Sequence, residues 1–153
     1  MLKHALKKMF LVIAMSVFTV SLHAADWTMA SGYPKSNFHT QNIIKFIDEV
    51  KATTSVNINL NENDTLIKID AIKTSLQRGQ IPIGEIRLGI YGNEDPMYIL
   101  AGLPFIAPDY SSAWLLKDVQ MGYLQEKFAK KGLMILYTSP WPGQGFYTKS
   151  PVN

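Results

Sequence analysis

The feature that most constrains the fold is a change of hydrophobic period between residues 43 and 60. Ile43, Ile44, Phe46, Ile47 and Val50 recur at spacings that put them on one helical stripe, whereas Val56, Ile58 and Leu60 alternate with Asn57, Asn59 and Asn61. The first pattern predicts a half-buried helix over 38–52, capped by Ser36 or Asn37, and the second a strand with one wet face. Thr53-Thr54-Ser55 separates them. Before the helix, Trp27-Thr28-Met29-Ala30 alternates large and small residues and reads as a first strand that ends at Ser31-Gly32-Tyr33-Pro34.

The alternation continues. Asp64 or Thr65 is placed to cap a second helix whose apolar positions are Leu66, Ile69, Ile72 and Leu76, and Gly79 after Arg78 suits the left-handed position that closes a helix. Ile81, Ile83 and Ile86, with Pro82 at the start, predict a short buried strand. Strand, helix, strand, helix, strand is the order of an α/β domain, with a mostly parallel sheet flanked by helices on both faces. The polar turn Asn93-Glu94-Asp95-Pro96 follows the third strand, where open α/β sheets bind ligands. Residues 103–108, interrupted by Pro104 and Pro108, read as a connecting turn packed on the core. A third helix is expected from Asp109 or Ser111 to about Lys130, with Trp114, Leu115, Val119, Leu124 and Phe128 on its apolar side and Gly132 beyond its end. Residues 133–137 predict one more buried strand. It leads into Ser139-Pro140-Trp141-Pro142-Gly143-Gln144-Gly145, a rigid aromatic loop, and then Phe146-Tyr147-Thr148.

The first 25 residues set the expected location. Lys3, Lys7 and Lys8 precede an apolar run from Met9 to Leu22 and a small-residue exit at Ala24-Ala25, the layout of a secretory signal peptide. That run is shorter than the roughly 20 residues of a membrane span, and an uncleaved anchor is its other reading. Residues 26–153 then form one domain. Removing the three signal lysines from 15 basic residues leaves 12, equal to the 12 acidic ones, so the formal charge of +3 gives no support to nucleic-acid binding. With no cysteine, disulfides and thiolate chemistry are excluded. His4 and His23 lie in the signal, so His39 alone remains and a multi-histidine metal site is excluded. No hydrolase elbow, phosphate-cradling loop or dinucleotide fingerprint occurs, and nothing calls for a cofactor.

Several residues carry candidate chemistry. His39, in the first turn of the first helix, is either a ligand contact or a capping or surface histidine. Glu85, in an otherwise apolar strand, is a pocket residue or half of an ion pair, although Arg87 is poorly placed to be its partner. The Asn93 turn orients a ligand or is simply solvated. Tyr33 and Trp141, each beside a proline in a loop, suit pocket walls, with core packing the alternative for Trp141.

Four blocks carry a resemblance: GYPKSNFHTQNI (32–43), LQRGQIPIGEI (76–86), GNEDPMYILAGLPFIA (92–107) and KKGLMILYTSPWPGQGFYTKSPVN (130–153). In this order, behind a signal peptide, they resemble the first part of the solute-binding receptors of tripartite ATP-independent periplasmic (TRAP) transporters, the DctP-type family. The resemblance implies a periplasmic-binding-protein-like fold of two α/β lobes, of which this chain is the first, truncated before the second. It also implies a small organic acid carboxylate as ligand and the transporter's membrane subunits as partners, with sodium-coupled uptake and no catalysis. In the family an arginine that clamps the ligand carboxylate lies shortly beyond the point corresponding to Asn153, and neither Arg78 nor Arg87 matches its motif. The first-lobe contacts carried over are Tyr33, Phe38, His39, Glu85, Asn93 and the wall from Trp141 to Gln144. The aromatic loops suit an aromatic or 2-oxo carboxylate.

Two other readings compete. One is a secreted single-domain enzyme using Glu85 and His39 as acid and base, which requires the two side chains within hydrogen-bond reach. The other is a small module that pairs with itself through an exposed lobe face.

Overall fold

The computed structural model describes residues 25–145 and 147–150. The expected signal peptide, apart from Ala25, and the residue Phe146 lie outside these. Three strands, β1 (Ala25–Ala30), β2 (Val56–Asn61) and β3 (Ile83–Gly84), form a parallel sheet in the order β2-β1-β3. Helix α1 (Phe38–Thr53) connects β1 to β2, and α2 (Ile72–Gln77) precedes β3. Three single 3-10 turns, Leu88–Tyr91, Pro96–Tyr98 and Leu100–Gly102, lead into the long helix α3 (Tyr110–Ala129).

The register explains why both faces are covered. Met29 pairs with Leu60 on one side and Ile83 on the other, and its side chain joins Ile43 of α1, Ile58 and Ile83 in one core. Ala30 points the other way, as strand geometry requires. It packs with Ile72 of α2 and Ile81, and its partner Gly84 lies against the same helix: a Cβ there would come within 2.8 Å of Ile72 Cγ2. Each fully buried aliphatic chain in these cores contributes roughly 1.5–3 kcal/mol.

Helix α1 starts and stops where local chemistry directs. Asn37 Oδ1 accepts from His39 N at 2.8 Å, and at the far end the Thr54 hydroxyl donates to Val50 O while accepting from Val56 N. Gly79, at φ +67°, closes α2 with its own N–H on Leu76 O and the Gln80 N–H on Ser75 O. Gly132, at φ +71°, repeats this pattern after α3. Asp109 caps the start of α3 by accepting from Ser112 N.

Five expectations are corrected. Residues 64–71 are turns, not the first half of a helix. Asn63 and Asp64 sit at positive φ, and Asp64 Oδ1 accepts from Ile69 N, a longer reach than a helix cap makes, so the chain loops and leaves Leu66 exposed. The third strand ends at Gly84, so Glu85 lies just beyond it, its N–H still donating to Ala30 O. Residues 133–137 pair with no strand among the described residues: Leu133 and Ile135 pack inward on Tyr91, Leu124 and Phe128 while Met134 and Leu136 face out. Alternation set the direction of these side chains without a neighbouring strand to bond.

The apolar stretches around α3 are also less buried than expected. Leu124 and Phe128 are in the core, but Trp114, Leu115 and Val119 are exposed because Tyr91 and Tyr98 meet only the last turns of the helix. Leu103, Phe105 and Ile106 are exposed as well. Their segment is held in part by backbone, with Phe105 N–H donating to Gln144 O and Pro108 lying close against Gly143.

Candidate functional site

The carboxyl ends of β1 and β3 converge on a polar residue absent from the sequence-derived candidates. Ser31, fully buried, follows β1; its hydroxyl donates to Glu85 Oε2 at 2.5 Å and accepts from Tyr33 N at 3.3 Å. Its backbone N–H donates to Asn61 O and its carbonyl accepts from Asp64 N, so one residue links the ends of all three strands. Gly32 beside it is in close contact with Ile69, whose Cβ would lie 2.5 Å from an added Cβ. The Tyr33 carbonyl is held by Asn63 N and by the Thr40 hydroxyl of α1.

Four rings meet on this frame. Tyr33 stacks on His39 at 5.8 Å between ring centroids, and Phe38 lies 4.1 Å from His39. Trp141 sits edge-on to all three, at 5.4 Å from Tyr33, 5.4 Å from Phe38 and 4.5 Å from His39. Such contacts add about 0.5–1.5 kcal/mol per pair beyond burial. Trp141 arrives from a segment more than 100 residues away in the chain, which no periodicity could have brought to α1.

The polar atoms of this cluster are incompletely satisfied. His39 is 5% exposed, so it is neither a surface residue nor a side-chain cap, and its Nε2 has no hydrogen-bond partner. The Tyr33 hydroxyl is buried and likewise unpartnered. Leaving such groups unpaired costs about 1–3 kcal/mol each. Burial lowers the His39 pKa, which favours neutral imidazole, and raises that of Tyr33; Arg87 opposes the Tyr33 shift through space and Glu85 adds to it. The Glu85 carboxyl is pushed up by burial, with the Ser31 hydrogen bond partly offsetting this. Tyr137, also missed from sequence, is raised by burial and by Glu85, and its ring lies 5.4 Å from Phe46.

The structure therefore brings together Tyr33, Phe38, His39 and Trp141, with Glu85 in electrostatic reach of Tyr33. Asn93 stands exposed on its turn, apart from the ring contacts. Gln144 is exposed, with its side-chain amide turned back onto Pro142 O. No ion pair joins Glu85 to a cation among the described residues. Glu85 and His39, the acid and base of the enzyme reading, share no hydrogen bond: the carboxylate is held by Ser31, and Nε2 is free. Next to the rings a groove of about 400 Å³ is lined by Phe38, Asn42, Tyr110, Trp114, Tyr137 and residues 138–140. It is open to solvent, and the two enclosed unpartnered atoms are the stronger pointer to chemistry.

No family model matches the sequence, and no curated protein does. Solved structures do. DctP7, a Bordetella pertussis extracytoplasmic solute receptor binding pyroglutamic acid, is 38% identical with a TM-score of 0.77 over 84% of this chain. The TRAP solute binding protein of a marine metagenome, specific for pyroglutamate, is 35% identical with a TM-score of 0.78 over 86% of this chain. This chain is similar to part of a TRAP solute receptor. DctP6 of Bordetella pertussis, a receptor that also binds pyroglutamic acid, aligns over 74% of this chain at 38% identity with a TM-score of 0.71. The chain spans 38% of the length of DctP6 and 44% of that of the other two TRAP receptors. The three-stranded parallel sheet with helices on both faces is thus one lobe of a periplasmic-binding-protein-like fold.

Proposed function

We propose that residues 26–153 supply the first lobe of a periplasmic solute receptor of a sodium-coupled, ATP-independent transporter, delivered by the signal peptide in residues 1–25. The lobe binds a small organic acid without catalysis, and the receptor hands that acid to membrane subunits. The observation that carries this reading is the ring cluster with two buried unpartnered polar atoms at the carboxyl ends of parallel strands, where α/β sheets take ligands. The likeness to receptors for pyroglutamic acid supports a five-membered-ring acid as the ligand class. Tyr33, Phe38, His39 and Trp141 form its wall, Glu85 its polar edge, and Asn93 and Gln144 the outer rim.

A thermal-shift screen of the purified chain against mono- and dicarboxylates, pyroglutamate included, tests this. A ligand present at 100 times its Kd adds about 2.7 kcal/mol to stability, well within detection. A cooperative melt that no acid moves would overturn the reading.

A further inference from the structure

Two strand edges in this lobe stand near one another without bonding. Glu85 N–H donates to Ala30 O, so residue 85 faces β1, and by the alternation of a parallel ladder the N–H and C=O of Gly84 face away from it. β3 is the last strand of the sheet on that side, and no described residue bonds to its outer edge. Residues 134–139 likewise exchange no backbone hydrogen bond among the described residues. Yet the two segments flank shared packing. Leu133 and Ile135 lie on the same core as Ile86, Leu88 and Ile90, while Tyr137 is in electrostatic reach of Glu85 and its ring lies 5.4 Å from Phe46, which packs on the core of Ile83. We propose that β3 and residues 133–137 are the two walls of a slot one strand wide, and that its occupant is an extended apolar strand of a second, different polypeptide.

The chemistry of the slot selects a strand. Open N–H and C=O groups on both walls are satisfied together by a backbone that carries donors and acceptors along both of its edges, seated about 4.8 Å from each neighbour. The faces select its side chains. Ile43 and Phe46 of α1 cover one side of β3 and Ile72 of α2 the other, so the occupant is apolar on both faces, as in a buried parallel sheet. About four to five residues match walls of this length. The opposite edge of the sheet is built differently: β2 alternates Val56, Ile58 and Leu60 with Asn57, Asn59 and Asn61, a polar pattern that suits an edge left in water. A second copy of this chain is a poor donor. Its β2 is polar on one face, and its residues 133–137 are held on their own core by Leu133 and Ile135.

Amide hydrogen exchange of the full chain, read by NMR with and without strand peptides, tests this. The probes are end-capped, lysine-flanked strands of about five valine, isoleucine and threonine residues, with matched peptides N-methylated at every second amide as controls. In the free chain, Gly84 and residues 134–138 should exchange as unbonded amides. A probe at about ten times its Kd should slow Gly84 and every second amide of residues 134–138 by about tenfold. The N-methylated peptides, which lack donors on one edge, should not protect both walls. Protection of Gly84 in the free monomer would mean that the two walls bond each other, and protection that appears with dimerisation would make a second copy the occupant. Protection of one wall alone, or of neither by any probe, would leave no slot. Each of these results overturns the proposal, and none bears on the receptor reading, which the carboxylate screen tests separately.

Discussion

Ser31 donates its hydroxyl to Glu85 across 2.5 Å, fastening the residue after the first strand to the residue after the third. Because the same hydroxyl accepts from Tyr33 N, the carboxylate and the ring wall share one anchor. Desolvation is the larger influence on Glu85 and the hydrogen bond the smaller, so the carboxyl titrates above its ordinary range.

The sign of the consequence follows. A carboxyl whose folded pKa is raised binds more protons folded than unfolded, so stability is greatest at low pH and declines as pH rises through the folded value. Glu85→Gln keeps an oxygen to accept from Ser31 and removes the desolvated charge. Its Tm at pH 7 should exceed wild type by on the order of one to a few degrees, and the difference should vanish below pH 4.5. Thermal melts across pH check this; no gain at pH 7 would mean that Glu85 is adequately solvated.

His39 pulls the other way. Its pKa is lowered by burial, so the unfolded chain takes up a proton first as pH falls below 6.5 and stability is lost on acidification until the folded imidazole protonates. Because His39 is the one histidine after residue 25, its ring proton resonances in a chain from Asp26 onward are resolved without assignment. An NMR titration should give a midpoint below 6.5. A midpoint at or above that value would mean that the ring is hydrated.

Gly143 has backbone against it: a Cβ there would lie 2.3 Å from Pro108 O. Gly143→Ala should force the loop carrying Trp141 away from residue 108, lowering stability by about 1–3 kcal/mol and changing tryptophan fluorescence. Gly122, within α3, has nothing within 4 Å of an added Cβ, and Gly122→Ala should stabilise by about 0.5–1 kcal/mol. Denaturant melts of the two variants should move in opposite directions.

Lys73 is buried at 2% exposure, paired with Glu94 and set 4.1 Å from the centre of the Tyr91 ring. Lys131 reaches the same Glu94 at 2.5 Å, so one carboxylate ties α2 to the chain beyond α3 and is held below its ordinary pKa, chiefly by Lys131. Lys73→Met fills the space without the charge and returns Glu94 to a single partner. Glu94 is partly exposed and keeps Lys131, so no uncompensated buried charge remains and the variant's Tm should stay close to wild type, whereas Lys73→Ala should lose about 2–5 kcal/mol by leaving a cavity. Comparison of the two melts separates packing from charge.

Local chemistry was readable in the chain itself. The Asn37 and Asp109 caps, the left-handed glycines at 79 and 132, the bounds of α1 and the whole of β2 depend on neighbours within a few residues, and those neighbours are in the sequence. The parallel order followed from the alternation of helix and strand. Features that needed a distant partner misled: Asp64 reaching to Ile69 broke an apparent helix, residues 133–137 had strand composition without a strand to pair, and Trp114, Leu115 and Val119 had helical spacing but no core opposite them. The resemblance to a receptor family pointed at Tyr33, Phe38, His39 and Trp141 one by one. That they form a single box, that Ser31 holds Glu85, and that two polar atoms inside are left without partners was decided by tertiary structure alone, because hydrogen-bond satisfaction and ring contact are properties of positions in space and no pattern along a chain encodes them.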